Sequence, residues 1–102
     1  MTATSFQVPQ GITQTETGVE LYQNSPNPFI EMTLIYFRLA QKADVVLRLF
    51  DSKGKEITHK KGGYEAGEHH LVIHRGDLRE PGMYTYRLET PFGAISRKLM
   101  MY

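Results

Sequence analysis

The sequence predicts an all-β fold, an Ig-like antiparallel β-sandwich of about seven strands. Three observations carry that prediction. Apolar and polar residues alternate with period two from Val19 onward. Turn-forming residues punctuate the alternation at the spacing expected of a sandwich. Nothing between the alternating segments is long enough for a helix, so no βαβ unit is expected and the sheets are antiparallel, each with one wet face. The 102 residues are one domain by length, enough to bury a single core without a metal or disulfide.

The elements follow in order. Val19 to Gln23 reads as a short first strand. It runs into Asn24-Ser25-Pro26-Asn27-Pro28-Phe29, where two prolines forbid helix and central strand alike. This is a rigid corner, with Phe29 anchored in the core. Met32 to Leu39 is the clearest strand, with Thr33, Ile35, Phe37 and Leu39 on one face. Val45 to Phe50 follows, with Val45, Leu47 and Leu49 inward. Asp51-Ser52-Lys53-Gly54 is a turn, because Asp can accept from its own backbone and Gly tolerates positive φ. Lys55 to Lys60 is the return strand, centred on Ile57. Gly62-Gly63 opens a loop that Ala66-Gly67 closes. Glu68 to His74 is a strand with His69, Leu71 and Ile73 on one face. Gly76 to Gly82 is a crossing plugged by Leu78. Met83 to Thr90 carries Tyr84, Tyr86 and Leu88 inward. Pro91-Phe92-Gly93 turns into the last strand, Ala94 to Met101, where Ile95, Leu99 and Met101 share a face with Arg97.

Composition narrows the function classes. Hydrophobic residues make up 40% and charged residues 23%, an ordinary globular balance. The net charge is +1 and the basic residues are dispersed, so there is no footprint for nucleic acid. Lys60-Lys61 is too short for a polybasic membrane patch. The absence of cysteine excludes a disulfide scaffold, a thiol nucleophile and a Cys-based zinc site. Met1 to Gln10 lacks the basic start and apolar stretch of a signal peptide. Residues 1–19 are polar and Thr/Gln-rich, and read as a flexible linker to an absent upstream partner. Residues 20–102 are the folded domain.

Candidate chemistry is sparse. On a strand, His70 and His74 share a face but sit roughly 13 Å apart, and His69 points the other way, so no metal site is expected. Asp51 and Asp77 are turn formers. No nucleophile elbow, phosphate loop or dinucleotide fingerprint is present, and no cofactor or catalytic residue is assigned. Tyr84, just after Gly82, fits a corner in which its hydroxyl ties the crossing loop to the sandwich. Tyr22, Tyr36 and Tyr64 are the candidates for an exposed aromatic surface, without forming an obvious strip.

Taken together, the punctuation resembles a known family. Leu21-Tyr22-Gln23-Asn24-Ser25-Pro26-Asn27-Pro28-Phe29 looks like the opening motif of type A C-terminal sorting domains of the type IX secretion system. The order that follows is also similar to that family: Thr33 to Leu39, the Val45-to-Gly54 unit VVLRLFDSKG, Ala66-Gly67-Glu68-His69, Leu78, Gly82-Met83-Tyr84-Thr85-Tyr86-Arg87-Leu88, and the closing Arg97-Lys98-Leu99-Met100-Met101. The match spans about residues 20 to 102. Each piece alone is weak, and the three signatures YQNSPNPF, PGMYTYRL and KLMM in this order are strong. Ile30-Glu31 replaces the Asn-Pro that often follows the opening motif, and Ile73-His74 stands where many members have Trp-Asp.

The resemblance implies a non-catalytic sorting signal at the C-terminus of a larger cargo from Bacteroidetes-type bacteria. The parent would cross the inner membrane on its own N-terminal signal and pass through the periplasm to the cell surface or medium. Implied partners are the type IX translocon, its shuttle proteins and a sortase-like peptidase that cuts upstream of the folded domain. On this reading, Gly82, Tyr84, Lys98, Leu99, Met100 and Met101 form the recognition set. Asn24, Pro26, Asn27, Pro28 and Phe29 form the opening motif. If the last strand lies at a sheet edge, its unpaired backbone groups invite strand addition, or a weak or domain-swapped homodimer. The alternatives are an Ig-like spacer and a carbohydrate- or adhesin-type binding module.

Overall fold

The computed structural model describes residues 12–14 and 18–102. Among them, the alternating segments form two four-stranded antiparallel sheets. The elements are β1 (Ile12–Gln14), β2 (Val19–Tyr22), β3 (Met32–Leu39), β4 (Ala43–Phe50), β5 (Glu56–Tyr64), β6 (Gly67–His74), the one-turn helix α1 (Arg75–Leu78), β7 (Gly82–Thr90) and β8 (Gly93–Met101). One sheet runs β1-β2-β3-β6 and the other β5-β4-β7-β8. From Val19 onward this is an Ig-like sandwich of seven strands: successive strands pair at β2–β3, β4–β5 and β7–β8, and the chain changes sheets after β3, β5 and α1.

Period two decides which side chains fill the space between the sheets. Ile35, Phe37 and Leu39 of β3 are buried, facing Leu47 and Leu49 of β4 and Tyr86 and Leu88 of β7. Leu21, Phe29, Ile73, Leu99 and Met101 complete the layer. Each such apolar side chain contributes roughly 1.5–3 kcal/mol on burial. The 4–5 turn forms on Asp51, whose carboxylate accepts from the amides of Lys53 and Lys55, both at 2.9 Å. Those amide bonds, chiefly that of Lys55, hold the Asp51 carboxyl below its ordinary range. Gly54 sits at φ 87°, where a side chain would be strained.

Three boundaries differ from the sequence reading. Gly62-Gly63 does not open a loop: β5 runs on to Tyr64, with Gly62 opposite Val45 and Gly63 opposite Asp44. The reason is steric. A Cβ on Gly62 would lie 3.1 Å from the Tyr64 ring, and one on Gly63 would lie 3.1 Å from the Asp44 carboxylate. The glycines make room within the strand instead of ending it. Second, the return strand is not centred on an inward Ile57, which is 38% exposed. Third, inside the stretch read as a linker, Ile12–Gln14 pairs with β2, Ile12 opposite Tyr22; residues 1–11 and 15–17 lie outside the described residues.

The crossing from β6 to β7 is built as a clamp. Asp77 accepts from the His74 amide at 2.9 Å and closes α1. Leu78 plugs the core at 4% exposure. Arg79 then adopts φ 77°, ψ −54°, and the Glu80 amide donates to the Leu78 carbonyl at 2.9 Å. That is a γ-turn of the rare, strained hand. The Tyr84 hydroxyl donates to the carbonyls flanking it, Leu78 at 3.3 Å and Glu80 more closely. The tyrosine expected to tie down the crossing does so.

Candidate recognition site

The opening motif and the last strand are far apart in sequence and form one structure. After β2 the chain reaches Asn24, which is buried at 3% exposure. A buried amide needs partners on every polar atom. Its side-chain NH2 donates to the Pro26 carbonyl at 3.1 Å and to Thr33 Oγ1 at 3.0 Å. Thr33 Oγ1 donates in turn to the Pro26 carbonyl at 2.8 Å. The Asn24 amide donates to the Tyr86 hydroxyl at 2.9 Å, and that hydroxyl donates to the Tyr22 carbonyl at 2.8 Å. Burial pushes the Tyr86 phenol up to about 12. Ser25 exchanges both backbone bonds with Leu34 at 2.9 Å. Both X-Pro bonds of the motif, Ser25-Pro26 and Asn27-Pro28, are cis.

The corner then crosses onto β8. Phe29 enters the core, and its backbone forms a parallel bridge with Met101. The Phe29 amide donates to the Met100 carbonyl at 3.1 Å, and the Tyr102 amide donates to the Phe29 carbonyl at 2.9 Å. The Met100 amide donates to Asn27 Oδ1 at 2.9 Å. Gln23 Nε2 donates to the Lys98 carbonyl at 2.7 Å. Arg75 joins the two segments from the side. Its guanidinium donates to the Ile30 carbonyl at 2.8 Å and to the Tyr102 backbone oxygen at 2.6 Å.

The residues expected to carry recognition are thus gathered at one end of the sandwich. Gly82 pairs with Met101 and Tyr84 with Leu99. They divide by exposure. Asn24, Phe29, Tyr84, Leu99 and Met101 are buried, so a partner reaches them only if the fold opens. Pro28 and Gly82 are half-buried, and Pro26, Asn27, Lys98 and Met100 face solvent. Three exposed apolar residues join that outer set: Ile30 at 58%, Met83 at 42% and Tyr102 at 62%. Met83 lies directly opposite Met100 across β7 and β8. Sequence reasoning missed these three; for Met83 the signal was present, since it sits next to the inward Tyr84 in period two and so faces out, whereas Ile30 and Tyr102 lie outside the strands and have no such period.

The expected open edge is corrected in part. β8 is an outer strand of its sheet. However, the Lys98 carbonyl, the Met100 amide and carbonyl and the Tyr102 amide are taken by the corner, as described above, and are not free for strand addition. The two departures from the family pattern are accommodated. Ile73 is fully buried opposite Thr33, and the Glu31 carbonyl accepts from the Arg75 amide at 2.9 Å.

Elsewhere, Tyr22 and Tyr36 share the outer face of the β1-β2-β3-β6 sheet, where Tyr36 meets His70 with ring centroids 5.4 Å apart. The Tyr22 phenol is raised by partial burial and by its 3.2 Å bond to the Glu20 carboxylate. Tyr64 does not join them; it packs edge-on against Phe37 at 5.2 Å. Among the described residues, no group of three His, Asp or Glu side chains is placed to hold a metal ion. A cleft of about 480 Å³ beside α1 is lined by Lys55, Glu56, Asp77 and Arg79, among others, and mixes both charges.

No family model matches the chain, and no curated protein matches it. Among solved structures, it is similar to a β-glucosidase from Listeria innocua in complex with glucose. The TM-score is 0.45 at 13% identity, covering 89% of this chain and 17% of that one. A likeness this remote says nothing about activity.

Proposed function

We propose that residues 20–102 are a non-catalytic sorting domain of the type IX kind, directing a larger cargo across the outer membrane. The observation that carries this reading is the union of the motif corner with β8. The two segments that most resemble the family pack on each other through the bonds of Gln23, Asn27 and Phe29 to Lys98, Met100 and Tyr102 and through the Arg75 bridge. The solvent-facing part of that end, Lys98 and Met100 with Ile30, Met83 and Tyr102, is the surface offered to the translocon or a shuttle protein. An apolar patch beside a fixed cation suits a partner with an apolar seat and an acidic rim. Removal by a sortase-like peptidase would fall upstream of β2.

The test is transfer. Residues 1–102 are fused to the C-terminus of a periplasm-targeted fluorescent reporter, in a strain with a working type IX system and in a translocon-deficient mutant. The proposal expects reporter at the surface or in the medium of the working strain alone. Reporter held in the periplasm of both strains, with the domain folded, would favour a binding module or spacer. Of these, a glycan-binding module has one observation in its favour, the grouping of Tyr22, Tyr36 and His70 on one sheet face.

A further inference from the structure

Backbone irregularities that a sandwich does not need tend to gather where a ligand is held. Two of them meet at the cleft beside α1. The β4–β5 register slips between the pairs Leu49–Thr58 and Phe50–Glu56, so Ile57 is the extra residue of a β-bulge. The bulge leaves Ile57 38% exposed on the cleft wall. The remaining lining comes from α1 and the γ-turn that follows it. Arg79 is the only non-glycine residue at positive φ among the described residues, and the Tyr84 hydroxyl holds the turn that keeps it there. At about 480 Å³ the cleft has the size of a small-molecule site, with room for more than a bare ion.

Its charges are unequally committed. The Glu56 carboxylate lies 3.3 Å from the Arg48 guanidinium and 3.0 Å from His59 Nδ1. Asp77 Oδ2 accepts from the His74 amide at 2.9 Å and lies 3.9 Å from Lys60 Nζ. By contrast, the side chains of Lys55 and Arg79 make no hydrogen bond or ion pair among the described residues, and Asp51 draws on Lys55 only at longer range. Two uncommitted cations beside two engaged acids make a seat for an anion. Asp77 Oδ1 and the Thr58 hydroxyl remain to meet hydroxyl groups.

We infer that this cleft binds an anionic monosaccharide unit, a sugar phosphate or a sugar acid. Lys55 and Arg79 hold its acidic group, Asp77 and Thr58 take its hydroxyls, and Ile57 covers its apolar face. The strained turn then has a reason, since it aims an arginine into the cleft. The inference does not depend on the sorting reading.

The whole chain is titrated with glucose 6-phosphate, glucuronate, glucose and inorganic phosphate, following backbone amide shifts by NMR. The inference expects at least one of the two anionic sugars to shift the amides of Thr58, Gly76, Asp77 and Arg79. That sugar binds about tenfold or more tightly than glucose or inorganic phosphate. The tighter of the two anionic sugars tells whether the acidic group is a phosphate or a carboxylate. Lys55→Gln and Arg79→Gly each weaken its binding about tenfold. Arg79→Gly also separates the ligand role from a structural one, because relief of the positive φ keeps the fold while binding is lost. No cleft shifts with either anionic sugar up to about 10 mM, glucose or inorganic phosphate binding as tightly, or unchanged affinity in both folded variants would each overturn it.

Discussion

Tyr86 is the side chain on which the recognition end depends most. Its ring is fully buried, and its hydroxyl bridges the Tyr22 carbonyl at the β2 exit and the Asn24 amide. Removing the hydroxyl leaves two buried backbone groups short of a partner. Tyr86→Phe is therefore expected to destabilise the domain by about 2 kcal/mol, read from urea unfolding at neutral pH. The same residue predicts an alkaline limit. Burial, the main cause, raises its folded pKa to about 12 from the ordinary 10.0. The unfolded chain ionises first, so this contribution is complete below pH 10 and is lost as pH rises toward 12. The loss is on the order of 3 kcal/mol. Tyr86→Phe should flatten that limb of the stability curve; an unchanged limb would contradict the assignment. The inward placement of Tyr86 was legible from alternation. Its partners were not, because they lie in a segment more than sixty residues away.

Among the elements, the strands were legible and the irregular joints less so. Period two located β3, β4, β7 and β8 because each has one dry and one wet face. It failed at Gly62-Gly63, where the glycines answer the close approach of Tyr64 and Asp44 and not a turn. The β6–β7 crossing was legible through its two anchors, Leu78 and Tyr84, whereas the strained γ-turn at Arg79 had no signal in residue type. Two substitutions test that crossing in opposite directions. Tyr84→Phe loses the hydroxyl that grips both sides of the turn, at a cost of about 1–2 kcal/mol. Arg79→Gly relieves the positive φ and is expected to raise stability by up to about 1 kcal/mol. Thermal or urea unfolding reads both, and a destabilised Arg79→Gly would show that the arginine side chain matters more than its backbone.

For the whole molecule, the asymmetry between its two ends matters most. One end carries the corner, the terminal segment of β8 and Arg75, with Ile30, Met83, Met100 and Tyr102 exposed around Lys98. The other carries the Pro91-Phe92 turn, where β7 passes into β8, together with the passages from β3 to β4 and from β5 to β6. Motif order in the sequence pointed to both halves of the first end. Only the long-range pairing, Phe29 with Met101, revealed that they are one structure. That union also separates two ways in which a change could stop export. Substitutions at Phe29, Leu99 or Met101 empty the core and are expected to cost about 2–5 kcal/mol, so they act through unfolding. Substitutions at Lys98, Met100 or Tyr102 alter only what a partner meets.

The most direct measurement exploits that separation. The reporter fusion is compared with a version carrying Lys98→Ala, Met100→Ala and Tyr102→Ala, after each domain is shown to unfold cooperatively. The proposed recognition surface predicts that the parent fusion reaches the surface or medium while the folded triple variant stays in the periplasm. A folded triple variant exported as well as the parent would contradict it.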